Sequence, residues 1–123
     1  MTFSACTPIF RIFDEAKARE FYLGFLGFTL DWEHRFEPET PLYAQVSRGD
    51  ARIHLSEHVG DASPGSAVRI AVADIDAYHA EIMAKKYKYM RPGLDETPWG
   101  TREIKVIDPF FNRIMFFAPL AQC

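Results

Sequence analysis

The sequence has little of what marks most specialised chains. It has only two cysteines, Cys6 near the start and Cys123 at the end. They sit at no metal-like spacing, and in a reducing compartment they are expected as free thiols and not as a disulfide. No run of about 18 apolar residues could span a bilayer. Met1-Thr2-Phe3 leads straight into a strand-like stretch, with no basic start followed by an apolar segment, so no secretory signal is expected and a cytoplasmic location follows. Basic residues are not in excess: 14 Lys and Arg against 17 Asp and Glu give a formal net charge of -3. That is the wrong sign for a scaffold that must neutralise nucleic-acid phosphates. A cationic small molecule suits the balance better. The seven glycines make no phosphate-cradling loop, and no serine or cysteine nucleophile sits in a recognisable elbow. With 48% hydrophobic and 25% charged residues the chain is too apolar to be disordered. Its 123 residues suffice for one domain with a real core.

What the chain does contain is stated nearly twice. Asp14 and Asp74 each open a helix pattern, as carboxylates that cap the free N–H groups of a first turn. After Asp14, Ala18, Phe21, Tyr22, Phe25 and Leu26 form one apolar stripe, and Gly27 is a good stop. After Asp74, Ile75, Tyr78, His79, Ile82 and Met83 repeat the spacing, with Lys85 and Lys86 closing the helix where cations favour its dipole. A β-rich stretch precedes each helix, Cys6 to Phe13 and Ala67 to Ala73. Three more strands are expected after the first helix, at Phe28 to Arg35, Leu42 to Ser47 and Ala51 to Ser56, and three after the second, at Tyr87 to Leu94, Arg102 to Ile107 and Arg113 to Ala118. Arg48-Gly49-Asp50 and Asp108-Pro109-Phe110-Phe111-Asn112 are the connecting turn signals. Arg52-Ile53-His54-Leu55 returns as Arg113-Ile114-Met115-Phe116, a period of about 60 residues. The expected fold is therefore α+β, one domain over 1–123 built of two βαβββ modules, about 1–60 and about 61–123.

The doubled order, Phe21-Tyr22 before Leu26-Gly27-Phe28, the Val72-Ala73-Asp74-Ile75-Asp76 helix entry and Asp108-Pro109 followed by Asn112 resemble the glyoxalase/bleomycin resistance/extradiol dioxygenase superfamily, the vicinal oxygen chelate fold. The resemblance covers the whole chain. It implies that each module curls its strands into an incomplete barrel and that paired modules enclose a ligand or metal cavity, commonly in a homodimer. Within the superfamily the chain is most similar to the bleomycin resistance proteins, which sequester the drug without turnover. Cys6-Thr7-Pro8-Ile9 resembles their first strand, where a proline hinges an arm exchanged between subunits. Asp31-Trp32 resembles their acidic and aromatic drug-facing pair, and Ser56 falls at another contact position. Pro98-Trp99-Gly100 with Arg102-Glu103 resembles a segment whose tryptophan borders their groove.

The enzymes of this superfamily need a divalent cation. By resemblance their four ligand positions fall on Thr7, His54, Val68 and Met115. Only His54 among these is a strong donor, so no metal and no cofactor are expected. His54 is read as a pocket-lining or satisfied interior histidine, while His34, His58 and His79 form no relay. Asp95 and Glu96 could do acid/base work but are read as a solvated loop. Phe10, Phe21, Phe25, Phe28 and Phe116 are assigned to the core. Trp32, Phe36, Trp99 and the pair Phe110-Phe111 lie at strand ends or turns, where a groove for a flat ligand would hold them. Glu33, Glu37, Glu39, Asp95 and Glu96 share those loops, with Arg35, Arg91 and Arg102 giving a mixed sign.

The expected function is binding of a bleomycin-like glycopeptide, or a similar planar cationic ligand, in a dimer-interface groove. Its expected lining is Asp31, Trp32, Phe36, Ser56, Trp99, Gly100 and Arg102. Two other readings stand beside it: a metal-dependent lyase, isomerase or dioxygenase of the same fold, and a groove for an unrelated metabolite.

Overall fold

The central strands of this chain alternate side chains that belong in a core with ones that do not, and that alternation decides how the sheets are covered. The computed structural model describes residues 1–120, so the expectation for Cys123 lies outside the described residues. The first module comprises β1 (Ile9–Arg11), α1 (Glu15–Arg19), β2 (Thr29–His34), β3 (Tyr43–Arg48) and β4 (Ala51–Ser56). The second comprises β5 (Ala67–Ala71), α2 (Ile75–Ala84), β6 (Asp95–Glu96), β7 (Thr101–Ile107) and β8 (Arg113–Pro119). Each module makes one four-stranded sheet, in the orders β1-β4-β3-β2 and β5-β8-β7-β6. The β1–β4 and β5–β8 pairs are parallel and the rest antiparallel. The two halves thus repeat one topology, and both sheets stay open.

Asp14 and Asp74 cap their helices as expected. Their carboxylates accept from the Lys17 N–H at 2.9 Å and the Ala77 N–H at 3.2 Å. Beyond α1, however, residues Glu20–Phe25 continue as a π-helix. Phe21, Tyr22, Phe25 and Leu26 span more of a helix circumference than one narrow stripe, and the widened turn brings all four inside. Gly27 ends the segment at φ 75°. That left-handed conformation is why the position needs glycine; a Cβ there would lie 2.6 Å from Arg48 Nη1, the movable end of a side chain. Ala44, Val46, Ile53 and Leu55 from one sheet and Ile104, Val106, Ile114 and Phe116 from the other join the helix residues in a single core.

Three expectations need correction. The first strand is only Ile9–Arg11: Pro8 lacks the N–H a ladder needs, and residues 1–7 ahead of it are exposed and unpaired with any strand. β1 lies against β4 of its own chain. The strand expected at Tyr87 to Leu94 does not form; the short β6 follows it, at Asp95–Glu96, where a loop is expected. Lys86 adopts φ 52°, Tyr87 turns back to stack on Phe25 at 4.5 Å, and Pro92 has no donor for a ladder. Finally, Phe110 is buried and belongs to the core, where a groove role had been expected for the Phe110-Phe111 pair.

The Asp108-to-Asn112 turn is the seam between modules. Tyr22 Oη donates to Asp108 Oδ2 at 2.7 Å, and Asn112 Nδ2 donates to Asp108 Oδ2 and to the Arg11 carbonyl, each at 2.9 Å. The N–H groups of Phe110 and Asn112 both donate to Asp108 Oδ1 at 2.8 Å. A second tie runs from Arg48 to Glu81, and Tyr78 Oη donates to the Leu26 carbonyl at 2.8 Å.

Candidate functional site

The helices cover one face of each sheet and leave the other free. On the first sheet the free face carries Tyr43, Gln45 and Ser47 of β3, which alternate with the core residues Ala44 and Val46, and Arg52 and His54 of β4. β2 reaches the same face through a β-bulge. Leu30 pairs with Val46, yet Trp32 pairs with Gln45, so Asp31 is the extra residue. Without the bulge Asp31 and Trp32 would point to opposite sides; with it both serve the free face.

The side chains there form a directed chain of hydrogen bonds. Gln45 Nε2 donates to Asp31 Oδ2 at 3.0 Å, which turns its amide oxygen toward His54 Nε2, also at 3.0 Å. Nε2 must therefore carry the proton, and Nδ1 accepts from Tyr43 Oη at 2.7 Å. Burial lowers the His54 pKa, which keeps the ring neutral. The Asp31 carboxyl is held below its ordinary value by hydrogen bonds from Ser47 and Gln45 and by the Arg52 charge. Burial and the Asp61 carboxylate raise the Tyr43 hydroxyl, so it remains a donor.

Trp32 lies over this chain, stacked on Tyr43 at 6.0 Å and 14° and edge-on to His54 at 5.3 Å. Trp32, His34, Phe36, Tyr43, His58 and Asp61 line an open groove of about 520 Å³, within the range of small-molecule sites. Phe36 projects from its rim, 77% exposed, between His34 at 5.0 Å and His58 at 6.2 Å. Ser56 is not itself in the groove. It is fully buried, donating to Asp61 Oδ2 at 2.6 Å and accepting from the His58 N–H at 3.0 Å, and so it sets the loop that carries both. Glu33 and Arg35 point to the helix side, where Glu33 pairs with Arg19 at 2.5 Å and Arg35 pairs with Glu15.

The other expected residues lie on the second sheet. Trp99 is 68% exposed, in a turn closed by Gly100 at φ 89°. Its Nε1–H donates to Glu103 Oε2 at 3.2 Å. The same oxygen accepts from Thr101 Oγ1 and Arg69 Nη2, each at 2.8 Å, and Arg69 lies 4.4 Å over the Phe117 ring. Arg102, one residue from Glu103 along β7, faces the opposite way and pairs with Asp76 of α2 at 2.6 Å. The structure thus gathers Asp31, Trp32 and Phe36 on one sheet and Trp99 and Gly100 on another. No hydrogen bond or aromatic contact links the two groups among the described residues. Tyr43, Gln45, Asp61 and Arg69 escaped the sequence reading; alternation along β3 and β5 turns Tyr43, Gln45 and Arg69 away from the core, but only cross-strand register pairs them with His54 and Glu103.

The donor set does not fit the metal of the superfamily's enzymes. Val68, expected at one ligand position, packs on the core, and the residue paired with Met115 on the free face is Arg69. A guanidinium ligates nothing and repels a cation. Both nitrogens of His54 are engaged. Among the described residues no group of three His, Cys, Asp or Glu side chains could hold a metal ion.

A family model described as glyoxalase superfamily protein matches residues 1–121. The chain belongs to the glyoxalase superfamily. This superfamily member is 32% identical to the bleomycin-binding protein from bleomycin-producing Streptomyces verticillus, solved with copper(II)-bleomycin, over 99% of both chains at a TM-score of 0.69. TnmS3, an antibiotic binding protein from Streptomyces sp. CB03234, shares the fold at 24% identity and a TM-score of 0.73, over 97% of this chain and 98% of its own. TioX from Micromonospora sp. ML1 does so at 20% and 0.72, over 96% and 100%. Among curated proteins none matches the sequence. No helix among the described residues is long and apolar enough to cross a membrane.

Proposed function

We propose that this protein binds a planar, cationic small molecule of the bleomycin type and holds it without turnover. One observation carries the reading: Trp32, Tyr43 and His54 form a packed aromatic floor beside the ionised Asp31, on a sheet face no helix covers. A flat heteroaromatic ring stacks on such a floor, and its positive charge is met by Asp31 and Asp61. The nearness to bleomycin-binding proteins supports the same ligand class. In this reading the protein is a homodimer in which the first sheet of one copy faces the second sheet of the other, so that Trp32 and Trp99 close on the ligand from two sides. The exposed segment ahead of Pro8 is the arm exchanged between the copies.

Calorimetric titration with a bleomycin-type drug is expected to saturate at one drug per chain, and the drug is recovered unchanged. Sedimentation is expected to show the dimer at micromolar concentration. Absence of heat refutes the ligand class, and a monomer refutes the two-sided groove. A lyase, isomerase or dioxygenase reading would need a bound metal, which Arg69 and the engaged His54 do not favour.

A further inference from the structure

A second cavity lies on the helix side of the molecule, away from both free sheet faces. It measures about 490 Å³ and is walled by Tyr87, Tyr89, Met90 and Phe111, with Lys17 and Glu20 on its rim. Three departures from ordinary backbone surround it. Glu20 opens the π-helix, Lys86 adopts φ 52° just ahead of Tyr87, and Phe111 adopts φ 69°. The last is the most informative. A bulky residue in the left-handed region is strained by about 1–3 kcal/mol, and the turn would accept glycine or asparagine there at lower cost. Burial does not offset the strain, because the Phe111 ring is 76% exposed. Tyr89, 67% exposed, stands edge-on to Tyr87 at 5.4 Å. The fold therefore holds two aromatic rings in water, one of them at a conformational cost, around a cavity of ligand size.

The polar groups at this cavity specify what enters it. Lys17 and Glu20 lie one turn apart on the same helix face, and neither is in an ion pair among the described residues. The Tyr87 hydroxyl is kept protonated by burial and by the nearby Glu20 carboxylate. A cation, an anion and a phenol donor thus border an aromatic wall; Asp108, the other charged residue of the lining, has both carboxylate oxygens engaged by Tyr22, Asn112 and two backbone N–H groups. We propose that this cavity is a second ligand site and that it takes a small aromatic zwitterion, its ring against Tyr89 and Phe111, its carboxylate on Lys17 and the Tyr87 hydroxyl, and its ammonium on Glu20.

The test uses the full chain with tryptophan, and with tryptamine and indole-3-propionate, each of which lacks one charge, in ligand-observed NMR. Tryptophan is expected to bind with a Kd of about 1 mM, the scale for a ligand of its size, and each singly charged analogue about tenfold more weakly. Glu20→Gln weakens tryptophan but not indole-3-propionate. Phe111→Gly abolishes binding while raising the Tm or leaving it unchanged, because glycine adopts the turn without strain. Tyr89→Ala, at an exposed position, weakens binding without touching that turn. The proposal is overturned if tryptophan fails to saturate the protein at about ten times that Kd, or if Phe111→Gly binds as well as the native chain. It is also overturned if Phe111→Gly sediments as a smaller species, which assigns this face to a contact between copies. Drug binding at the sheet faces is unaffected by Phe111→Gly, so the two readings succeed or fail separately.

Discussion

Replacing Tyr22 by phenylalanine removes a single oxygen from a fully packed site and leaves no cavity. In the native chain that oxygen donates to Asp108 Oδ2 at 2.7 Å, with Tyr22 wholly buried and Asp108 4% exposed. A buried hydrogen bond to a charged acceptor contributes about 1.5–3 kcal/mol. Asp108 keeps Asn112 and two backbone N–H donors, so the loss sits toward the lower end, about 2 kcal/mol. For a domain of this size that lowers the Tm by about 5–10 °C. The pH dependence sharpens the expectation. Burial raises the Asp108 pKa above the ordinary carboxylate value while its hydrogen bonds, Tyr22's first, hold it down. A raised folded-state value means that stability from this group is fully present in acid and declines as pH rises through that value. Without the tyrosine donor the value rises further, so the gap between native and variant is widest at neutral pH and narrows toward pH 4. Urea titrations at several pH values and fixed protein concentration measure it, with the midpoint shifting and the slope unchanged. A loss below about 0.5 kcal/mol, or one equally large at every pH, refutes the seam as described.

Three further outcomes are expected. Gly27→Ala places a Cβ at a strained φ, with the movable end of Arg48 giving way, and chemical denaturation should show a loss of about 1–3 kcal/mol. Trp32→Ala and Trp99→Ala should each weaken binding of a bleomycin-type drug by about tenfold in calorimetry, with Phe13→Ala unchanged as a control for lost surface aromatics. The His54 ring should titrate by NMR below the ordinary imidazole value of about 6.5, because burial disfavours its charged form. A depressed folded value contributes stability that is present above the unfolded pKa and is lost as pH falls from there through the folded one, and affinity for a cation should decline over the same acidification as the ring takes up charge.

Topology was the legible part of this chain. Asp14, Asp74 and the recurrence of Arg52-Ile53-His54-Leu55 in Arg113-Ile114-Met115-Phe116 report local capping and a period-2 ladder, both written along the sequence itself. The π-helix was not, because the spacing of Phe21, Tyr22, Phe25 and Leu26 is compatible with either helix until packing chooses. Tyr87 to Leu94 has strand composition, yet its first tyrosine gains more by stacking on Phe25 than by joining β7. At the candidate site Trp32 and Trp99 could be picked out as large apolar side chains at element ends. Tyr43 and Gln45 could not, since their role depends on cross-strand register with His54 and on the bulge at Asp31, neither of which shows in composition. Arg102 was misplaced for the same reason: one residue along β7 changes the face.

Trp32 and Trp99 stand on different sheets of one chain, and this has a consequence for mixtures of variants. If two copies close two grooves, each groove draws one tryptophan from each copy. A cell making both a Trp32→Ala chain and a Trp99→Ala chain then assembles mixed pairs in which one groove has lost both rings and the other is intact. Two variants that each bind weakly alone would then bind well together, at about half the capacity per mixed pair, whereas two damaged on the same sheet would not.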